Sequence, residues 1–297
     1  MASQRLPIPK AVLDELESID PKAEFSGNMP RIESSSGIHY FIKVGSPGET
    51  EQYEGEAESL KGMDVASPGL APKVLASGKD STTGRPYFIS QFKDLTHLTD
   101  LASRKLGQRL ARELHAYEST SGFGFGVPTY CGATRLENGW FETWEACYSA
   151  MIGDLVRQLR KKGRYAGLCE AVEEVRERVI PKLLGAINVP PVLLHGDLWS
   201  GNTGTDRSTG EPVIFDPASF YGHNEADLAI GRMFGGIPNG FYEEYHKYLP
   251  KTEPTEQYNL RNELYQLFHY LNHTLLFGGS YQSSAMSKAR LLLSAKL

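Results

Sequence analysis

The first ninety residues combine two strand-like runs with one helical segment. Residues 38–44 (IHYFIKV) and 85–92 (RPYFISQF) are rich in β-branched and aromatic side chains and are bounded by Gly and Pro, as strands commonly are. Between them, residues 49–63 (ETEQYEGEAESLKGM) consist mostly of helix formers, with apolar positions on one stripe. The pattern predicts a small N-terminal unit of antiparallel sheet with one helix.

Helical periodicity dominates after residue 92. Leucines recur at Leu106, Leu110 and Leu114, and residues 172–179 repeat valine at helical spacing. The longest such segment, residues 258–277, carries apolar side chains three and four positions apart, which predicts a helix with one face in the core. We therefore expect a larger, mainly α-helical C-terminal part.

Two short apolar runs interrupt the helices, and each delivers an aspartate where it ends. The first is PVLLHGD, ending at Asp197, and the second is EPVIFDP, with Asp216 near its end. Because the turn-rich segment TGTDRSTG lies between them, we expect the two runs to pair as a hairpin. Strand ends on a rigid scaffold commonly present reactive groups to a cleft, so both carboxylates are candidate catalytic residues.

The composition excludes several classes of function. The chain has 297 residues, of which 40% are hydrophobic and 23% charged, as in ordinary globular proteins. Its formal net charge is −5, with Lys and Arg scattered, so we expect neither a nucleic-acid partner nor a membrane partner. It shows no signal-peptide or membrane-spanning run, and its three cysteines lack CxxC spacing. We expect a cytoplasmic monomer without disulfides or a zinc site.

The segment HGDLWSGN, residues 195–202, has the spacing of a kinase catalytic loop, with Asn202 five positions after Asp197. Phosphoryl transfer needs a carboxylate that accepts the proton of the acceptor hydroxyl, and a neutral oxygen donor that helps to hold magnesium. Asp216 follows a short strand, where kinases carry a second magnesium-binding carboxylate. We therefore assign Asp197 as the catalytic base, and Asn202 and Asp216 as ligands of Mg²⁺ in a site for ATP.

The N-terminal unit supplies the candidates on the nucleotide side. Lys43, in the run YFIKV, resembles the strand lysine that pairs with nucleotide phosphates and with a helix glutamate. Among three nearby glutamates, Glu56 is favoured over those at 54 and 58 because it lies one turn before an apolar anchor. The run FISQF, which ends in Gln91 and Phe92, is expected to connect the two lobes and to offer backbone groups to the adenine edge.

Three other readings of these residues are weaker. A hydrolytic metal site could be drawn from two histidines and two acidic residues, namely His195, Asp197, His223 and Glu225. It matches no known ligand spacing. A Ser200, His195 and Asp triad lacks the G-x-S-x-G elbow, and its serine is too near the histidine. A pseudokinase that only binds nucleotide is disfavoured because all four kinase residues are present.

The chain resembles the fructosamine-3-kinase or ketosamine-3-kinase family, which is related to aminoglycoside phosphotransferases and choline kinases. The similarity covers most of the chain and is most specific in VLLHGDLWSGN, EPVIFDPASFYGHNEADLAI and LYQLFHYLNHTLLFGGSY. The segment FGFGVPTYCGATRLENGWFETWEACY looks particularly like fungal members of the protein-ribulosamine 3-kinase type. The resemblance implies a bilobal α+β protein-kinase-like fold, with the small lobe at residues 1–92, the helical lobe at 93–297 and a hinge at about 90–95.

The resemblance also implies an activity, that of an ATP-dependent ketosamine 3-kinase. Such an enzyme phosphorylates the sugar 3-hydroxyl of ribulosamines or fructosamines, on small amines or glycated protein lysines, and the unstable ester then frees the amine. Matched to the family, Asp197 is the base, Asn202 and Asp216 hold magnesium, and Lys43 contacts the phosphates. Trp199 would line the sugar site. Weaker substrate-side candidates are His195, His223, His273 and Trp140.

One departure from the family concerns the nucleotide loop, which is often glycine-rich. Here residues 25–32 read FSGNMPRI, with a single Gly and no Cys, so Arg31 is expected to do part of the electrostatic work on the phosphates. In the HNEAD segment, we expect Asp227 to hold the metal-binding loop as an outer partner.

The acceptor is the less determined part of this hypothesis. The alternative is a kinase of the same fold that acts on another small alcohol, such as an aminoglycoside, choline or a sugar. A choline site needs an aromatic or acidic cage and an aminoglycoside site many carboxylates. The phrases FYGHNEADL and LYQLFHYLNH favour ketosamines, with the choice between ribulosamine and fructosamine left open.

Overall fold

The computed structural model describes residues 8–297, and its N-terminal part is a five-stranded antiparallel sheet with two helices. The strands are β1 Phe25–Asn28, β2 Arg31–Ser34, β3 His39–Val44, β4 Val74–Lys79 and β5 Pro86–Gln91, and the helices are α1 Lys10–Ile19 and α2 Thr50–Ala66. The strand order is β1-β2-β3-β5-β4. The predicted strands and helix correspond to β3, β5 and α2, and α1 is a helix that the sequence pattern did not predict.

Alternation of side chains along β3 places one face in the core and the other in the cleft. Tyr40 and Ile42 are buried with Val12 and Leu16 of α1. Because successive side chains of a strand point to opposite faces, Lys43 lies on the other face and reaches α2. This alternation brings the lysine to the face of the sheet that lies against α2.

The C-terminal part is mainly helical, as predicted. Its helices are α3 Asp100–Arg112, α4 Trp144–Lys161, α5 Ala166–Arg178, α6 Ile180–Leu184, α7 Ala229–Phe234, α8 Asn239–Tyr248, α9 Tyr258–Phe277 and α10 Ser280–Ser294. The predicted helix at 258–277 coincides with α9, which ends at Gly278, a residue with a left-handed φ of 65°. Within residues 8–297, no helix combines the length and apolar character that crossing a membrane requires.

Short strands surround the segments that contain Asp197 and Asp216. They are β6 Leu95–Thr96, β7 Thr129–Cys131, β8 Thr134–Leu136, β9 Val192–Leu194, β10 Thr203–Asp206, β11 Pro212–Ile214 and β12 Phe220–Gly222. After β5 ends at Gln91, β6 pairs with β10 in a separate three-stranded sheet. The predicted hinge at 90–95 therefore joins two sheets, and movement about it stays a prediction.

The two parts of the chain share an apolar cluster. One cluster fills the space between the N-terminal sheet and α1, and a large one lies among α4, α5, α9 and α10. A third joins α2 and β5 to α3, β9 and α8, through residues that include Leu60, Phe88, Leu106, Leu193 and Phe241. This shared cluster holds the base of the cleft together.

The prediction that the two aspartate-bearing runs pair with each other is wrong. β9 pairs with β12, and β11 pairs with β10. The segment TGTDRSTG is a strand followed by a turn, because its β-branched Thr203 and Thr205 are buried and form β10. Asp197 and Asp216 therefore follow strands of two different ladders.

Candidate active site

Lys43 and Glu56 form an ion pair at the upper side of a cleft between the two parts of the chain. Nζ of Lys43 donates to both carboxylate oxygens of Glu56, at 2.8 and 2.6 Å, and contacts Oδ1 of Asp216 at 3.4 Å. Burial alone would lower the pKa of Lys43, but the two carboxylates outweigh it and raise the pKa, so the amine stays protonated. Of the three candidate glutamates, Glu56 is the one that the structure places against the lysine.

The cleft below this pair has a volume of about 320 Å³ and mostly apolar walls. Its lining includes Phe41, Leu60, Phe88, Gln91 and Phe92. The N–H of Gln91 already donates to the carbonyl of Lys73 at 3.0 Å, and that of Phe92 to the carbonyl of His39 at 3.3 Å. The two predicted nucleotide-side residues thus line the cleft, with their backbone N–H groups already bonded within the protein, and their contact with the adenine edge stays a prediction.

Asn202 lies beside Asp197 at the lower side of the cleft. Nδ2 of Asn202 donates to the carbonyl oxygen of Asp197 at 2.9 Å and to its Oδ2 at 3.1 Å, and it lies 3.5 Å from the carbonyl of Asp216. Since all three partners are acceptors, the orientation of the amide is determined. The amide oxygen of Asn202 is left without a hydrogen bond among the described residues, and a free oxygen donor is what Mg²⁺ prefers.

Asp216 adopts a left-handed backbone conformation, with φ at 53°. Such a conformation is uncommon outside glycine and typical of functional sites. The N–H groups on either side hold it, since Phe215 donates to the carbonyl of Asn202 at 3.1 Å and Ala218 to that of His195 at 2.9 Å. The carboxylate of Asp216 is 56% exposed on the side of Lys43. Together with the amide oxygen of Asn202, it forms a set of hard oxygen donors that fits Mg²⁺.

The protonation of Asp197 is tuned by its surroundings. Burial is the main cause that raises the pKa of Asp197 to about 7; hydrogen bonding from Asn202 opposes the rise, and the charges of Asp227 and Asp216 add to it. A general base works best with a pKa near the operating pH. The pKa of Asp197 therefore suits the predicted role of proton acceptor.

Asp227 holds the catalytic loop from behind. Its Oδ2 accepts the N–H of His195 at 2.7 Å, its Oδ1 accepts that of Gly196 at 2.7 Å, and Nε2 of His115 lies 3.2 Å from Oδ2. Burial alone would raise the pKa of Asp227, but hydrogen bonding and attraction from His115 and His195 lower it, so it stays ionised. The predicted outer role is thus directed at the catalytic loop, not at the metal-binding loop.

The comparisons with known proteins agree with this arrangement. The sequence profile of a family described as fructosamine kinase matches residues 26–295. The chain belongs to the fructosamine kinase family. Ketosamine-3-kinase from Mus musculus is 36% identical over 276 residues, which cover 84% of this chain and 86% of the mouse protein. Membership of the family implies an ATP-dependent kinase, and it confirms the resemblance found in the sequence.

Solved structures confirm the kinase-like fold. A Thermobifida fusca protein assigned as a fructosamine-3-kinase superposes with a TM-score of 0.77 at 27% identity, covering 92% of this chain and 93% of that one. The aminoglycoside phosphotransferase APH(4)-Ia, in a ternary complex with AMP-PNP and hygromycin B, superposes with a TM-score of 0.59 at 17% identity, covering 97% of this chain and 100% of that one. At that identity, the second likeness concerns the fold alone.

His195 and His223, two of the substrate-side residues predicted for this fructosamine kinase family member, do not line the cleft. Both are fully buried. Nε2 of His195 lies 3.0 Å from the carbonyl of Phe215, and its Nδ1 accepts the N–H of Asp197 at 3.2 Å. The ring nitrogens of His223 bond to a tyrosine and a threonine hydroxyl at 2.7 and 2.8 Å. Neither ring has a nitrogen left over for substrate in this structure, and roles in substrate binding for His195 and His223 stay predictions.

The remaining substrate-side candidates are nearer to the surface. Trp199 is 36% exposed and packs edge-on against Phe234, with ring centres 5.9 Å apart. His273 contacts the same Phe234 at 5.0 Å, so these three rings form one aromatic patch beside the catalytic loop. Trp140 is exposed on another surface, where it packs on Tyr221 at 6.2 Å. Roles in substrate binding for Trp199, His273 and Trp140 stay predictions.

Arg31 lies at the hinge side of the cleft. Its guanidinium sits over the ring of Phe92, 4.8 Å from the ring centre, and its NH2 group lies 3.0 Å from Nε2 of His39. These contacts attach the β1–β2 hairpin to the connection between the lobes. The predicted contact of Arg31 with nucleotide phosphates stays a prediction.

Proposed function

We propose that the chain is an ATP-dependent ketosamine 3-kinase. It transfers the γ-phosphoryl group of ATP to the 3-hydroxyl of the sugar in ribulosamines or fructosamines, on small glycated amines or on glycated protein lysines. The observation that supports this most is that a lysine–glutamate pair, a half-buried aspartate and two oxygen donors adjoin one another, with Glu56 and Asp216 lining the cleft. They do so in a member of the fructosamine kinase family, with a mouse relative described as a ketosamine-3-kinase.

Asp197 accepts the proton of the sugar hydroxyl as that oxygen attacks phosphorus. The bond from Asn202 to its Oδ2 fixes the plane of the carboxylate. With its pKa raised to about 7, Asp197 is a stronger base than an exposed carboxylate and is still substantially ionised at neutral pH.

Positive charge around the phosphates comes from two sources. Lys43, oriented by Glu56, faces the cleft and would contact phosphate oxygens. Asn202 and Asp216 would hold Mg²⁺, which supplies the charge that neutralises the phosphate oxygens.

Trp199 is the residue we place against the sugar. An indole ring packs well on the C–H face of a sugar, and its N–H can donate a hydrogen bond. Phosphorylation at the 3-position gives an unstable ester that decomposes and frees the amine, so the biological role we propose is deglycation repair.

We place the enzyme in the cytoplasm as a monomer. Its three cysteines are free and buried, which suits a reducing compartment. Light scattering of the purified protein tests whether it is a monomer.

The test is ATP consumption in the presence of Mg²⁺ with four acceptors: Nα-protected ribulosyl-lysine, fructosyl-lysine, choline and kanamycin. We expect turnover on the ketosamines alone, with phosphorus NMR locating the ester at the sugar 3-position. The Asp197→Asn variant should lose roughly 10²–10⁴-fold in turnover. Turnover on choline or kanamycin instead would show that the acceptor is another small alcohol. ATP binding without turnover on any of the four acceptors would indicate a pseudokinase.

A further inference from the structure

Cys131, Asp197 and His269 bring a sulfur, an oxygen and a nitrogen donor together beside the catalytic loop. They come from three separate segments, since Cys131 ends β7, Asp197 follows β9 and His269 lies on α9. Their donor atoms all lie within 4.8 Å of one another. Cys131 and His269 are buried and Asp197 is partly exposed, so the cluster reaches the cleft through the aspartate.

His269 has an unused hydrogen-bonding capacity. The residue is only 5% exposed, and its Nδ1 is buried without a hydrogen-bond partner in residues 8–297. An unpaired buried polar group is destabilising, so a ring in this state calls for a partner. A cavity of about 10 Å³ beside the ring has room for at most one water, which would satisfy one ring nitrogen and leave the other free. Burial lowers the pKa of His269 to about 3, which keeps the ring neutral, the form that ligates metals.

Asn272 prepares the sulfur of Cys131. Its Nδ2 lies 3.2 Å from Sγ of Cys131 and donates at 3.2 Å to the carbonyl oxygen of the same residue. An N–H directed at sulfur stabilises the thiolate, which is the form that ligates metals. Burial and then the charge of Asp197 raise the pKa of Cys131 well above its usual value, so the thiol keeps its proton until a cation displaces it.

The donor set distinguishes this cluster from the magnesium ligands. Mg²⁺ takes oxygen ligands in octahedral geometry, whereas Zn²⁺ takes cysteine, histidine and carboxylate ligands in a tetrahedron. Zinc bonds of about 2.0–2.3 Å place tetrahedral ligands roughly 3.3–3.8 Å apart. From separations of up to 4.8 Å, the donor atoms must therefore approach one another by about 1.5 Å at most. Three protein ligands leave a fourth position open, as in exchangeable zinc sites.

Although the cysteine spacing in the sequence predicted no zinc site, we propose that Cys131, Asp197 and His269 form a binding site for Zn²⁺ or a similar thiophilic divalent cation, and that occupation of the site inhibits the kinase. On binding, the thiol proton of Cys131 leaves to solvent and the sulfur bonds to the cation. Asp197 gives its oxygen to the cation and no longer accepts the proton of the acceptor hydroxyl. The inhibition rests on the proposed function, in which Asp197 is the base, whereas cation binding does not.

Cation binding is tested with Co²⁺ as a spectroscopic probe, on the full chain without nucleotide or Mg²⁺. The wild type should show a thiolate-to-cobalt charge-transfer band that Zn²⁺ abolishes. Cys131→Ser should lose the band, and Cys169→Ser, whose sulfur is buried against α4, should keep it. His269→Gln should weaken cobalt binding at least roughly tenfold, because losing even an outer partner of a metal ligand costs about that much. No band in the wild type, or the same band in folded Cys131→Ser, would overturn the site; thermal unfolding confirms that each variant is folded.

Inhibition is tested by titrating Zn²⁺ into the kinase assay at fixed Mg²⁺ and ATP, with each variant scaled to its own zinc-free rate. Half-inhibition of the wild type should need at least about tenfold less Zn²⁺ than that of Cys131→Ser. Zinc bound to ATP is equal in both assays, so the difference reports the protein site. Equal inhibition of both proteins would overturn the inference that the site regulates the enzyme, and it would leave the proposed kinase activity standing. A cobalt band without turnover on any acceptor would instead overturn the proposed function and leave the site standing.

Discussion

Asp227 accepts the backbone N–H of His195 at 2.7 Å, although 32 positions separate the two residues. The second oxygen of the same carboxylate accepts the N–H of Gly196, also at 2.7 Å. Two consecutive peptide groups just before Asp197 are thereby fixed by one ionised side chain. The position of the proposed base depends on a residue that touches neither substrate.

The first prediction follows from this contact. Asp227→Asn removes the charge and turns an amide N–H₂ toward a backbone N–H, so the loop should shift. We expect turnover to fall about 10²-fold with little change in the KM for ATP, because a small displacement of a reacting group is costly and the nucleotide side is untouched. Unfolding in urea should show a loss of about 1–3 kcal/mol.

The control for this variant is Asp64→Asn, which removes a surface carboxylate 3.9 Å from Lys73. It should leave both quantities unchanged. Normal turnover in a folded Asp227→Asn protein would show that the contact does not position the base.

The second prediction concerns the ion pair at the top of the cleft. Lys43→Met removes the only amine that contacts Glu56 and Asp216 among the described residues. Turnover should fall roughly 10²–10³-fold, the usual loss for one group that stabilises charge in the transition state. Lys43→Met also leaves the buried carboxylate of Glu56 unpaired. The double variant Lys43→Met with Glu56→Gln has no such carboxylate, so it should be more stable than Lys43→Met without recovering turnover.

A matched control is Lys61→Met, since Lys61 pairs at 2.8 Å with Glu58 on the exposed side of the same helix. Steady-state kinetics and thermal unfolding measure both effects. If Lys61→Met lost as much turnover as Lys43→Met, a general charge effect would replace the specific role of Lys43.

Sequence reasoning predicted the features that depend on residues close together in the chain. The five-residue step from Asp197 to Asn202 and the placement of Lys43 in a strand both lie within one segment, and the structure brings them together at one cleft. The helix at 258–277 was predicted for the same reason, because periodicity is a local property.

What the sequence did not reveal depends on contacts between distant segments. His115 lies 112 positions before Asp227, in a helical region with no spacing that singles it out. The buried pair of Glu225 and Arg261, joined at 2.7 Å, is equally invisible, because a charged residue in a helix usually reads as solvated. The strand pairing of β9 with β12 was missed because the intervening loop is long and β10 competes for β11.

The third prediction concerns pH and stability in protein free of nucleotide and Mg²⁺. The pKa of Asp197, about 7, is above the ordinary value of 3.8, so the folded state holds this proton more tightly than the unfolded state does. Its stabilising contribution is therefore complete below about pH 4 and is lost as the pH rises to about 7. Asp197→Asn has no charge to bury and should unfold with a free energy higher by roughly 2–4 kcal/mol at pH 8, and nearly unchanged at pH 4.

Asp80 provides a control of opposite sign. This exposed turn carboxylate accepts the N–H groups of Thr83 and Thr82, which lower its pKa. Asp80→Asn should therefore be less stable than the wild type at pH 8 and still largely so at pH 4, because the contribution of Asp80 is lost only as the pH falls below 3.8 and through its lowered pKa. Urea unfolding at both pH values measures these differences. If Asp197→Asn were no more stable than the wild type at pH 8, the raised pKa of Asp197 would be rejected.

The last prediction separates the two exposed tryptophans. Trp199 shares an aromatic patch with Phe234 close to the proposed base, whereas Trp140 packs on Tyr221 elsewhere. Trp199→Ala should raise the KM for a ketosamine about tenfold and leave that for ATP unchanged, because losing a ring that packs on a sugar costs about 1.4 kcal/mol. Trp199→Phe should lose less, since a ring face remains. Trp140→Ala serves as the matched control and should change neither KM; if it gave the larger effect on the ketosamine, the sugar would bind on the Tyr221 surface and Trp199 would be a packing residue.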